Sequence, residues 1–134
     1  MTCSEYAESF LRDQIMPTEF RKSFVSFEPL GIVVGIMPWD FPFWQVMRYV
    51  VPTHIAGNVT ILKHSSVCTA CALKINDALH ESGLPEFVFQ LVVGDYRTSE
   101  TIVKSKIDAA SVTGSVNTGK RVAQLRQKTQ KNVS

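Results

Sequence analysis

Apolar residues first recur at helical spacing as Tyr6, Phe10 and Leu11, behind the T-x-x-E capping-box pattern of "TCSEYAESFLRD". The period then changes. In "EFRKSFVSFEP" Phe and Val alternate with polar or basic residues, which predicts an extended strand from Phe20 to Glu28 ending at Pro29. "LGIVVGIMP" is a nearly unbroken apolar run of strand length, the signature of a parallel strand covered on both faces. Residues 43 to 55 return to a helical pattern that Pro52 should end or kink. "NVTILK" predicts a second buried strand. "TACALKINDALHE" predicts a helix over 69–81, with Gly83 and Pro85 as its stop signals. "EFVFQLVVG" predicts a third strand, "TSETIVKS" a short helix, "DAASVTG" a fourth strand and "SVNTGKRVAQLRQK" a last helix.

A strand followed by a helix, four times over, predicts an α/β fold: a partial doubly wound, Rossmann-like parallel sheet of about four β-α units. An N-terminal helix and an arm-like strand precede it. The expected division is residues 1–28 for helix and arm, and 29–134 for the sheet domain. At 134 residues the chain is long enough for one modest core.

Charge changes this picture little. The net charge is +2, and the last fifteen residues hold five Lys or Arg and no acid. No aromatic residue interleaves with these charges, so a solvated helix end is expected rather than a nucleic-acid contact. No apolar run is long enough for a membrane span, and the N-terminus, with Glu5, Glu8 and Asp13, is unlike a signal peptide. A soluble cytoplasmic protein is expected. Three cysteines, an odd number, argue against a disulfide framework. "CTAC", Cys68 to Cys71, is formally a redox spacing near a helix start, where a thiolate would be favoured. Two small buried residues on one helix face are the plainer expectation. The histidines at 54, 64 and 80 are scattered, and no metal site is expected.

In a doubly wound sheet, ligands lie beyond the carboxyl ends of the strands. Three stretches should fall there: Pro38 to Phe43, Lys63 to Ser66, and Gly114 to Gly119. The last is G-x-x-x-x-G, neither a dinucleotide fingerprint nor a P-loop, yet N–H groups at a helix start suit a phosphate whatever the motif.

Three spaced motifs, "PLGIVVGIMPWDFPFWQ", "AGNVTILKHSS" and "VTGSVNTGKRVA", together resemble the aldehyde dehydrogenases. "EFRKSFVSFEPLG" and "MPWDFPFWQVMR" look most like the succinate-semialdehyde dehydrogenase branch. The resemblance runs from Tyr6 to Val133. It implies a dinucleotide as partner, with Pro38 and Trp39 where nicotinamide and substrate meet, and Lys63 at the adenosine ribose. Ser115, after Gly114, would lie against the pyrophosphate, and Gly119 would allow close helix packing. Ser66 stands where many NAD-preferring members carry glutamate. Beside Lys63 it can accept a 2′-phosphate, so NADP is expected ahead of NAD. The plain alternatives are a surface lysine for Lys63 and a helix N-cap for Ser115.

Asp40 stands where the family usually has the asparagine whose amide helps hold the oxyanion. An ionised Asp40 offers no such donor, and losing one costs about 10²- to 10³-fold in rate. Capping the following helix is the structural alternative. The resemblance also implies a general-base glutamate just past the last residue given and a nucleophilic cysteine further on, matched by none of Cys3, Cys68 or Cys71. The expectation is a truncated NAD(P)-binding segment, inactive alone in aldehyde oxidation, with at most weak cofactor affinity and a tendency to self-associate through its arm and open sheet edge. Half of a split dehydrogenase, or a non-catalytic module that binds intact family subunits, are the alternatives.

Overall fold

The computed structural model describes residues 3–131. It contains helix α1 (Cys3–Leu11), strands β1 (Gln14–Ile15), β2 (Phe24–Val25) and β3 (Ile32–Met37), and helix α2 (Trp44–Ile55). Then come β4 (Val59–His64), a 3-10 turn (Ser66–Cys68), α3 (Thr69–Glu81), β5 (Phe89–Leu91), α4 (Tyr96–Lys104), β6 (Ala109–Val112) and α5 (Val116–Lys131). The predicted order of four β-α units is therefore present. Thr2, which would complete the N-terminal capping box, lies outside the described residues. Among those residues no helix is long and apolar enough to cross a membrane.

The main sheet is wholly parallel, in the order β5-β4-β3-β6. Strand parity explains its two cores. Val33 and Met37 leave β3 on one face and pack with Leu62 and Phe89 under Val46, Tyr49 and Val50 of α2 and Ile75 of α3. Val34 and Ile36 leave on the other, against Val103 of α4 and Val122 and Leu125 of α5. Val34, Leu62 and Phe89 are completely buried, each contributing about 1.5–3 kcal/mol relative to exposure. Helices thus cover both faces, and the fold is a doubly wound, Rossmann-like α/β sheet.

Several boundaries differ from expectation for local reasons. The arm is much shorter as a strand than 20–28: only Phe24–Val25 pairs, antiparallel to Gln14–Ile15, a partner the sequence pattern did not suggest. β5 covers only Phe89–Leu91, and its late start follows from Phe87, whose φ of +69° lies outside strand geometry. α4 starts two residues early, since Asp95 Oδ1 accepts from the N–H groups of Arg97 (2.9 Å) and Thr98 (3.2 Å) and caps it. α2 runs three residues past Pro52, and Thr53 Oγ1 donates back to the Tyr49 carbonyl at 2.6 Å.

Candidate functional site

The sheet order determines where a site can form. From β3 the chain winds outward through β4 to β5, then crosses to add β6 on the other side of β3. The topological switch point is therefore between β3 and β6, where a crevice opens at the strands' carboxyl ends. A cleft of about 420 Å³ lies there. Of the residues singled out from sequence, Pro38, Lys63, Ser66, Gly114 and Ser115 line it. Trp39, Asp40 and Gly119 do not.

Lys63 pairs in register with Ile36, which pairs on its other side with Val112, so Lys63 sits one strand from the switch point. It shares the parity of Ile61 and leaves the sheet on the α4/α5 side. The residue is 6% exposed, and burial pulls its ammonium below the usual value of 10.5, with the nearby Asp95 carboxylate opposing this. Around it the cleft presents the hydroxyls of Ser65, Ser66, Ser99, Thr113, Ser115 and Thr118, and no carboxylate is among the lining residues. A buried cation ringed by hydroxyls is suited to an anion.

Ser115 is also an N-cap, as its plain alternative held: its Oγ accepts from the Thr118 N–H at 3.2 Å. This is compatible with a place in the cleft wall, because a cap takes only one of the four free N–H groups of the first turn. Gly119 lies one turn further along α5, its N–H donating to the Ser115 carbonyl at 3.1 Å. Nothing stands within 4 Å of where its Cβ would be, so close packing there is not seen among the described residues.

The β3–α2 loop carries Trp39 and Asp40. His64 Nε2 donates to the Pro42 carbonyl at 2.9 Å, while Nδ1 accepts from the Ser65 N–H at 2.8 Å, which puts the ring proton on Nε2. Cys68 Sγ donates to the Trp39 carbonyl at 3.7 Å. Asp40 does not cap α2, correcting that alternative: the N-cap position is Phe43, without a side-chain cap bond, and Asp40 Oδ1 instead accepts from Gln45 Nε2 at 2.9 Å.

"CTAC" forms the start of α3, with Cys68 buried and Cys71 half-buried, both free thiols. Burial pushes the Cys68 thiol up, and Cys71 nearby pushes the same way. That is the reverse of a reactive redox cysteine, so the plainer reading of a small buried residue holds for Cys68, while Cys71 is only half-buried.

Sequence reading missed Tyr96 and Ser99 in the cleft, while Thr118 fell inside the expected stretch Gly114 to Gly119 without being singled out. It also missed an adjoining apolar slot of about 290 Å³ between α4 and α5, which shares Ile36, Tyr96, Ser99 and Thr118 with the cleft. A signal existed. Tyr96, Ser99 and Val103 fall on one face of α4, and Thr118, Val122 and Leu125 on one face of α5. Each stripe is apolar in the core and polar at its N-terminal end, where it leaves the core for the cleft.

Comparison with known proteins agrees with this architecture. The sequence pattern of the Aldehyde dehydrogenase family matches residues 2–134. A probable NADP(+) succinate-semialdehyde dehydrogenase of Synechocystis sp. is 41% identical over 117 residues, covering 87% of this chain and 26% of the relative. The NADP(+) succinate-semialdehyde dehydrogenase of Mycobacterium leprae is 37% identical over 128 residues, covering 91% and 28%. The chain thus spans little more than a quarter of the curated relatives it matches. Among solved structures, the succinic semialdehyde dehydrogenase of Streptococcus pyogenes in complex with NADP+ superposes with a TM-score of 0.88 at 25% identity, over 95% of this chain and 28% of that one. A lactaldehyde dehydrogenase superposes with a TM-score of 0.87 at 28% identity, over 94% and 27%. With a family match along residues 2–134 and the fold and switch-point cleft in place, this chain belongs to the aldehyde dehydrogenase family.

Proposed function

We propose that the cleft holds the phosphate-bearing adenosine half of NADP, and that the chain is part of the cofactor-binding domain of a dehydrogenase acting on succinate semialdehyde. The observation that carries this is Lys63: a buried ammonium in a cleft lined by hydroxyls and by no carboxylate. An acid beside the ribose would repel a 2′-phosphate, whereas Ser66 and Lys63 together attract it, so NADP is favoured over NAD. The start of α5 offers N–H groups and a positive dipole end to the pyrophosphate, next to Ser115. The residues present fit the group. When bound, NADP supplies the hydride acceptor of aldehyde oxidation.

The 134 residues by themselves are proposed to bind and orient the cofactor without oxidising aldehyde. A thiolate nucleophile is required, and neither Cys68 nor Cys71 lines the cleft. Asp40, at the family's oxyanion position, supplies no donor as a carboxylate. Calorimetric titration of NADP and NAD, against the wild-type chain and Lys63→Met, tests the binding. Expected are binding of NADP ahead of NAD and loss of that preference in the variant; no heat at millimolar NADP would overturn it. Turnover of succinate semialdehyde that scales with protein and survives repurification would overturn the inactivity.

A second reading rests on the arm. Ile15, Phe20 and Phe24 are 82%, 79% and 50% exposed, an apolar surface that favours association with another copy of this chain or with intact family subunits, as a non-catalytic module or half of a split enzyme would.

A further inference from the structure

The turn between β5 and α4 runs beside Lys63. The Val92 N–H donates to the carbonyl of Leu62, the residue before Lys63, at 2.9 Å. Gly94 lines a small recess with His64 and Ser65, while Tyr96 and Ser99 line the Lys63 cleft itself. Asp95 lies between these two groups as the N-cap of α4, just outside the cleft wall. Its carboxylate is pinned, because Oδ1 accepts from the N–H groups of Arg97 and Thr98 and from Thr98 Oγ1 at 3.5 Å. A Cβ on Gly94 would run into the Thr98 side chain, so the turn is also tight. Arg97 places its guanidinium 5.8 Å from the centre of the Tyr96 ring. Among the described residues Asp95 makes no ion pair at contact distance.

We propose that Asp95 is a specificity-determining residue whose fixed carboxylate penalises the 2′-phosphate of NADP and so narrows the preference for NADP over NAD. The inference rests on the dinucleotide reading above, since it takes Lys63 as the partner of the 2′-phosphate. Capping does not require the charge, because asparagine, serine or threonine offers the same acceptor. The charge nevertheless reaches Lys63. Burial lowers that ammonium, and the Asp95 carboxylate opposes the lowering. An anion drawn to Lys63 therefore meets the same carboxylate as a like charge. The 2′-phosphate brings close to two negative charges at neutral pH, where NAD has only a hydroxyl. The pyrophosphate is common to both ligands, so its repulsion cancels in their affinity ratio. Asp95 also answers the positive end of the α4 dipole, which would otherwise favour an anion in the cleft. Because Asp95 is exposed, water and salt screen the repulsion and limit it to a few-fold in affinity.

The test is calorimetric titration of the full 134-residue chain with NADP and with NAD, in the wild type, Asp95→Asn and Asp95→Ser. Both variants keep a capping oxygen and remove the charge. At low salt the NADP-to-NAD affinity ratio should rise about two- to fivefold in each variant, the range of an exposed charge pair. The gain should shrink at about 1 M salt, where charges are screened within about 3 Å. A merely structural role of Asp95 would move both affinities together and leave their ratio where it was. A rise smaller than about twofold, or a rise that is the same at high salt, would overturn the proposal while leaving the dinucleotide reading intact. Failure of both ligands to bind the wild type at millimolar concentration would overturn both.

Discussion

The Gln45 side chain donates from Nε2 to Asp40 Oδ1 at 2.9 Å, linking the first turn of α2 to the loop that precedes it. Gln45 is buried, and its Oε1 has no partner among the described residues. Among the described residues the Asp40 bond is the one that satisfies this amide, and the acid's role in the folded chain is as an acceptor for Gln45 rather than as a helix cap.

Asp40→Asn retains an acceptor oxygen and should change stability by less than about 0.5 kcal/mol. Asp40→Ala strands a buried N–H donor and should cost about 1–3 kcal/mol. Urea unfolding of the two variants measures the contrast; equal stability would remove the structural role.

Lys63→Met should stabilise the chain while it loses NADP. The sign follows from burial, which lowers the folded-state ammonium below 10.5. As pH rises through the folded value toward 10.5, the unfolded chain holds more protons and wild-type stability increases. The Met variant should lack this rise, as denaturant midpoints measured across that range would show.

His54 works at the other end of the pH scale. Its ring shares a 2.7 Å hydrogen bond with Thr60 Oγ1 and meets the Phe89 ring edge-on. Burial lowers it below 6.5, partly opposed by a backbone hydrogen bond at Val88. Stability from keeping this ring neutral is complete above pH 6.5 and is lost as pH falls from there through the folded value. His54→Gln should flatten that slope in the same unfolding measurement.

Gly35→Ala should destabilise by about 1–3 kcal/mol, the usual cost of overpacking. A Cβ on Gly35 would stand inside the ring of Tyr49, whose hydroxyl donates to the Val33 carbonyl at 2.7 Å, so the ring cannot retreat without breaking that bond. Thermal unfolding reads the loss. Tyr49→Phe combined with Gly35→Ala should cost less than the sum of the two single changes.

Light scattering should show the chain larger than a monomer at high concentration. Ile15→Lys with Phe20→Ser should reduce the mass, because both side chains stand on the exposed apolar arm. A wild-type monomer at all concentrations would set the arm aside as an association surface.

The positions of β3 and β4 were legible because an apolar run bounded by turn residues is a local property. So was α3, whose 69–81 span agrees with its periodicity and stop signals. β5 and the arm were less legible. Phe87 turns out of strand geometry despite a β-prone sequence, and Phe24–Val25 takes its partner from ten residues back. Neither outcome is written in the period of the segment concerned. In the site, Lys63, Ser66 and Ser115 drew notice through motifs, whereas Tyr96 and Ser99 did not, since polar residues on a helix look alike until a neighbouring helix is placed.

By itself the sequence determined the alternation of strand and helix, the two-faced burial of β3 and the family motifs at the strand ends. Only the tertiary structure decided the order β5-β4-β3-β6, and with it the crevice between β3 and β6 that brings Lys63, Gly114 and Ser115 to one cleft. The physical reason is range. A hydrophobic period is set by neighbours along the chain, but which strand lies beside which depends on how two cores can be closed at once, and that involves partners as far apart as Ile32 and Val59, or Val33 and Ala109.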